Sequence, residues 1–101
     1  DAQTFFEIAS NASGQNWSMT SYCPAPGPVP NAPSNRDYAA GFAVDMMLKD
    51  LRLASAAAQQ AGVDTVFGAR AMAAYESLSA QGQGNMDFSV IMRKISGDLP
   101  E

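Results

Sequence analysis

AAGFAVDMMLKDLRLASAAAQQAG, residues 39–62, is the stretch whose periodicity settles the fold class. Val44, Met47, Leu48, Leu51, Ala54 and Ala58 recur at the i, i+3, i+4, i+7 spacing that lines one face of a 3.6-residue helix. A half-buried strand would need alternation with period two, and the run has none. The alanines of SAAAQQA, residues 55–61, favour helix because they lose no side-chain freedom in it. Gly62 supplies the left-handed turn that ends one. The pattern predicts a helix from about Ala39 to Ala61 with its apolar stripe turned toward a core.

The same reasoning extends outward. Asp64 or Thr65 can cap a next helix running to about Gln81, with Phe67, Ala71, Ala74, Tyr75 and Leu78 inward. Gly82 and Gly84 break it, and Asp87 caps a last helix whose Phe88, Ile91, Met92 and Ile95 form one apolar face ending at Gly97. Upstream, Asp1 caps a first helix to about Asn11, with Phe5, Ile8 and Ala12 at helical spacing and Ser13-Gly14 at its end. Asn16 to Tyr22 reads as one irregular helical turn or an ordered loop. CPAPGPVPNAP, residues 23–33, has five prolines in eleven residues, so amide donors are missing and neither helix nor central strand fits. Trp17, Tyr22 and Tyr38 flank it and give it something to pack against. No stretch alternates as a strand does, so the expected fold is all-α: a small multi-helix domain.

The chain has 101 residues, which is one domain with no room for a second. Hydrophobic residues make up 47% and charged residues 16%, enough apolar side chains for a core and too many for a disordered segment. The net charge of −4, with no basic run, argues against a nucleic-acid partner, because phosphate backbones repel an acidic surface. No apolar stretch approaches the roughly 20 residues of a membrane span, so no membrane partner is expected. Asp1-Ala2-Gln3 is not a basic leader, and an opening without methionine fits a fragment or a processed piece. The single Cys23 cannot form an internal disulfide, which favours a reducing compartment. With no histidine, His-dependent triads are excluded and a zinc site is a poor fit.

Few groups could carry chemistry. Lys49 follows Asp45 by four residues, and the bland reading is an i, i+4 pair on a solvated face, contributing ~0.2–0.5 kcal/mol. The sharper reading is a fixed cation that reaches an anionic or carbonyl-bearing ligand at the domain edge. Trp17 and Tyr22 read either as plugs anchoring an irregular loop or as a pocket wall, where rigid rings exclude water and Tyr22 offers a hydroxyl. Cys23 precedes a proline with no base beside it, so an inert thiol is expected. The two glycosylation sequons, at Asn11 and Asn16, are taken as accidental, and the methionines as core filler. GQG at residues 82–84 lacks the strand–turn–helix setting of a phosphate loop.

Three segments together resemble the 3-hydroxyisobutyrate dehydrogenase family. SGQNWSMTSYCPAPG, residues 13–27, is similar to its Ser-Gly…Trp-Ser…Tyr…Pro…Pro-Gly run. PSNRDYAAGFAVDMMLKDLRLA, residues 33–54, is similar to its Pro-Ser…Tyr…Gly-Phe…Lys-Asp-Leu…Leu-Ala helix start, and QGQGNMDFSVIMRKI, residues 81–95, to its closing Gly…Asp-Phe-Ser helix. The Lys-Asp-Leu helix alone would indicate only the wider β-hydroxyacid dehydrogenases, and the Trp…Tyr…Pro-Gly segment is the discriminating part.

The resemblance implies that residues 1–101 are the C-terminal helical domain of a two-domain enzyme, an NAD-binding and substrate-cleft domain whose N-terminal Rossmann domain and catalytic lysine lie outside the chain. It implies a parent that transfers a hydride from 3-hydroxyisobutyrate to NAD, giving methylmalonate semialdehyde in valine catabolism, and a fragment that is inactive alone. By the same resemblance Lys49 reaches the bound NAD, Phe42 borders the nicotinamide end of the cleft, and Trp17 and Tyr22 lie on the substrate side. No catalytic residue and no metal ligand is expected in the chain. A small 3-hydroxy acid is the expected partner, and the first helix, with Phe5, Phe6 and Ile8, is expected to self-associate when bare, in keeping with a homo-oligomer. The implied compartment is bacterial cytoplasm, or the mitochondrial matrix for a eukaryotic source. Two other readings stand beside this one: a β-hydroxyacid dehydrogenase acting on another acid, and a stand-alone helical interaction module docking through its proline-rich segment.

Overall fold

A computed structural model of the chain describes residues 1–99. Five α-helices appear in the order α1 (Ala2–Ala9), α2 (Trp17–Thr20), α3 (Val44–Ala61), α4 (Val66–Leu78) and α5 (Ile91–Ser96), joined by short 3-10 turns at Pro33–Arg36 and Phe88–Val90. Among the described residues there is no strand, only two isolated bridges, so the domain is all-α. No described helix is long and apolar enough to cross a membrane.

The periodic run behaves as its spacing predicts from Val44 onward. Val44 and Leu48 are buried, Met47 and Leu51 pack beside them, and with Tyr38, Tyr75, Leu78 and Val90 they form the core between α3, α4 and the start of α5. Gly62 adopts a left-handed φ of 68° and its amide closes on Ala58 and Gln59, which ends α3 where the sequence places its stop.

The start of α3 differs. Residues 39–43 are not helical; Ala39 and Ala43 bridge to Met86 and Asp87 instead. The reason is capping. No side chain caps α3, and its first amides are taken by carbonyls from the far end of the chain, Val44 N–H by Met86 at 2.9 Å and Asp45 N–H by Gly84 at 3.0 Å. That closeness depends on Gly84, where a Cβ would overlap the Asp45 carboxylate.

Three side chains on predicted inward faces are not covered. Phe67 is 91% exposed, Ile95 75%, and Ala54 is also at the surface. The periodicity places them on the apolar face of their helices, but no other described element reaches that face. Helix α1 ends at Ala9, two residues before the expected Asn11, and buries none of its residues.

The proline-rich segment is tied down by polar contacts rather than by regular structure. Ser34 donates to the Cys23 carbonyl at 2.7 Å, Tyr38 to the Pro24 carbonyl at 2.7 Å, and Asn35 to the Val29 carbonyl at 2.7 Å. Cys23, its first residue, is buried. Asp37 and Tyr38 both have positive φ, 52° and 56°, and this left-handed pair turns the chain from the proline segment toward α3. Arg93 of α5 pairs with Asp37 and lies 4.7 Å over the Tyr38 ring, which holds that corner against the last helix.

Candidate functional site

Three of the four residues singled out in the sequence meet on one side of the domain. Asn16 caps α2 by accepting from the Met19 amide at 2.9 Å, and this sets Trp17 at the first helical position. The Trp17 ring stacks on Tyr22, with centroids 5.4 Å apart. Tyr22 stacks in turn on Phe88 at 5.2 Å, and Phe42 meets Phe88 edge-on at 5.9 Å. Each contact lies in the range where ring pairs add to simple burial. The result is a row of four rings, Trp17–Tyr22–Phe88–Phe42, drawn from three separate parts of the chain.

Asp87 organises this row. It is fully buried, and its carboxylate accepts five hydrogen bonds. One oxygen takes the Tyr22 hydroxyl at 2.6 Å and the amides of Gly41 and Phe42 at 3.0 Å each. The other takes the amide and hydroxyl of Ser89. Burial alone would push its carboxyl up, but the donors from Ser89, Tyr22 and the Phe42 amide outweigh it and hold the group below its ordinary value. Tyr22 responds in the opposite sense: burial and the adjacent Asp87 push its phenol up to about 12. Gly41 is required at this point, because a Cβ there would lie 2.6 Å from the Tyr22 hydroxyl oxygen. Backbone bonds from Asp87 N–H to Tyr38 O and from Phe88 N–H to Phe42 O, both 2.8 Å, fasten the two segments together.

Lys49 stands apart from the ring row. It lies on the exposed face of α3, five residues into the helix from Val44, about 7–8 Å along the axis. Its partner is not Asp45: the ammonium sits 3.5 Å from the neighbouring Asp50, while Asp45 accepts from the Ser79 hydroxyl at 2.6 Å. The i, i+4 pair gives way because Ser79, at the end of α4, competes for the Asp45 carboxylate. Around Lys49 is an open groove of about 630 Å³ between α3 and α4, with Arg52 and Glu76 on its walls.

A family model described as the NAD-binding domain of NADP-dependent 3-hydroxyisobutyrate dehydrogenase matches residues 1–95. The chain belongs to this family. Within it, a mitochondrial 3-hydroxyisobutyrate dehydrogenase of Drosophila melanogaster is 44% identical over 91 residues, covering 90% of this chain and 28% of that protein. An NAD-dependent L-serine dehydrogenase of Pseudomonas aeruginosa is 42% identical, covering 92% and 31%. The structure of Mycobacterium tuberculosis 3-hydroxyisobutyrate dehydrogenase with L-serine superposes with a TM-score of 0.89 at 35% identity, over 94% of this chain and 32% of that one. The chain thus spans about a third of the length of the curated relatives it matches.

Seen as a 3-hydroxyisobutyrate dehydrogenase domain, the structure groups Trp17, Tyr22 and Phe42 and leaves Lys49 on a separate groove. It also adds a residue that sequence reasoning took only as a helix cap. Asp87 does cap the turn that leads into α5, through the Ser89 amide, but its other oxygen gathers Tyr22, Gly41 and Phe42. The one sequence signal for that second role is the family's Asp-Phe-Ser motif at 87–89, which gives no hint of partners 45 and 65 residues away.

Proposed function

We propose that this domain is the C-terminal part of an NAD-dependent dehydrogenase that oxidises a small 3-hydroxy acid, and that its role is to close the cleft over cofactor and substrate. The observation that carries this reading is the Asp87-centred assembly, which fixes the Gly41-Phe42 turn and the ring row beside the start of the helix that bears Lys49. The residues present fit a dinucleotide contact at its edge: Lys49 presents an exposed ammonium, and Phe42, half-buried, offers an aromatic edge. The glycine-rich loop that would hold the pyrophosphate is not in the chain, so most of the cofactor would be held elsewhere in the enzyme.

When bound, the nicotinamide supplies hydride chemistry. The residues of this domain orient and exclude. Lys49 offers a fixed positive charge to a polar atom of the cofactor, and Trp17, Tyr22, Phe88 and Phe42 wall the substrate from water. The general acid/base lysine implied by the family lies outside these residues, so the isolated domain is expected to be inactive. 3-Hydroxyisobutyrate, and with it a place in valine catabolism, is the first substrate assignment. L-Serine is the second, favoured by the serine dehydrogenase relative and by the L-serine that accompanies the similar Mycobacterium tuberculosis structure.

The test uses the full-length protein. Lys49→Ala is expected to raise KM for NAD roughly tenfold, as loss of one charged hydrogen bond of ~1.5 kcal/mol would, with the helical content by circular dichroism unchanged. An unchanged KM sinks the Lys49 assignment. Turnover of 3-hydroxyisobutyrate, L-serine and glycerate, compared side by side, ranks the substrates, and turnover of none of them sinks the reading.

A further inference from the structure

Helix α1 is eight residues long and buries none of them, with Phe5 66% and Ile8 69% exposed. Its polar residues Gln3 and Glu7 bond each other at 2.9 Å. Ala2, Phe5 and Phe6 lie on another side of the helix, and they line a cavity of about 530 Å³ whose opposite wall includes Met19, Cys23 and Met92. Such a space does not stay empty: its walls forfeit their contacts, and apolar walls give water too few partners to fill it well. No charged side chain lines it, and Asn16, which does, uses both ends of its amide on the Met19 N–H and the Gly14 carbonyl. A small polar substrate would therefore find little to orient it. The occupant that fits is apolar. An apolar cavity of about 150 Å³ holds one benzene ring, so this one has room for about three side chains of that size.

We propose that, in the full-length protein, an amphipathic helix directly ahead of Asp1 folds back on α1 and fills this cavity with its apolar side chains. This rests on the reading of the chain as the C-terminal part of a longer enzyme; the chain spans about a third of its relatives' length. Asp1 caps α1 and Ala2 lines the cavity, so a segment joined to Asp1 starts at the mouth of the cavity. Being tethered, it docks without the loss of free translation and rotation that a separate molecule meets. Positions i, i+3 or i+4, and i+7 of a helix put three side chains on one face, and a helix pairs its own backbone groups while doing so. A second copy of the chain fits less well. Helix α1 is only about 12 Å long, whereas a stable interface takes roughly 800 Å² from each partner.

The experiment uses the full-length protein with the photo-cross-linker p-benzoylphenylalanine in place of Phe5, whose ring lines the cavity and is open enough to take a longer one. After irradiation the denatured product is sized on a gel and its cross-linked peptides are mapped by mass spectrometry. The expected product has the mass of a single chain and joins position 5 to residues ahead of Asp1. A product of twice that mass, a cross-link only to other parts of the chain, or none at all overturns the proposal. Hydrogen exchange at the α1 amides of the unmodified protein is the second measurement. A covered α1 exchanges at least roughly a hundredfold slower than the same segment unfolded in urea. A bare helix of this length is marginal in water, so exchange within about tenfold of the unfolded rate overturns the proposal. Turnover of 3-hydroxyisobutyrate and L-serine is followed in the same preparation. The expected cross-link without turnover removes the dehydrogenase reading and leaves this contact standing, whereas turnover with a doubled mass does the reverse. A full-length protein with no helix-length segment ahead of Asp1 overturns the inference outright.

Discussion

Around Asp87 the backbone is irregular, yet it is densely tied: two bridges, a 3-10 turn and a run of side-chain hydrogen bonds hold segments from both halves of the chain. At the far end of the α3–α4 hairpin the backbone is regular, yet Leu53, Val63, Val66 and Phe67 stand in solvent. The radius of gyration, 14.6 Å, exceeds the roughly 13 Å of a compact 100-residue globule, as a projecting hairpin and a loosely covered α1 would make it. The contrast separates regularity from burial. Helix is cheap locally once alanines are supplied, whereas the irregular knot persists only because a buried anion gathers donors that would otherwise be orphaned.

The sharpest way to break the comparison is to remove the anion. Asp87→Ala strands five donors, and urea denaturation of the full-length protein should show this domain destabilised by about 3–5 kcal/mol. A loss under ~1 kcal/mol would mean that water replaces the carboxylate without difficulty. Next in size is Leu78→Ala at the fully buried centre of the core, expected to cost about 2–5 kcal/mol by the same measurement.

Acid titration probes the knot more gently. Asp87 has its folded value held below the ordinary one, so the stability it contributes is present above the unfolded value and is lost as pH falls through the folded one. Stability should therefore decline as pH drops through and below the ordinary aspartate range, and Asp87→Asn should flatten that decline. The phenols give the mirror image. Tyr22 and Tyr75, raised from 10 to about 12, contribute below pH 10 and lose that contribution between pH 10 and 12. The smallest effect belongs to the exposed end. Phe67→Ser should change stability by no more than ~0.5 kcal/mol, because the ring is almost wholly in solvent. A larger loss in the full-length protein would show that something beyond these residues covers it.

The two regions also differ in how far the sequence discloses them. Val44, Leu48, Tyr75 and Leu78 could be read as core from spacing alone, since their period is a local property. Phe67 and Ile95 follow the same rule and mislead, because periodicity names a face without saying what lies opposite. Residues 39–43 misled differently: three alanines and a valine nearby suggest helix, whereas the amides of Val44 and Asp45 find their partners some forty residues later. Trp17 and Tyr22 stand out as aromatics flanking a glycine- and proline-rich stretch, and Phe42 only through the resemblance to the family. Their common support by Asp87 does not stand out, because no pattern in the chain links positions 22, 41 and 87.

That long-range support has a consequence for biosynthesis. Phe42 is translated early in this domain, but the residues that fix its turn, Met86 to Ser89, are among the last. While a ribosome is still making α4, the carbonyls and the carboxylate that seat the Gly41-Phe42 turn do not yet exist, so nascent α3 has no lid on its first amides. A stop codon anywhere between Phe42 and Met86 would therefore leave the Gly41-Phe42 turn unformed even though both of its residues had been synthesised.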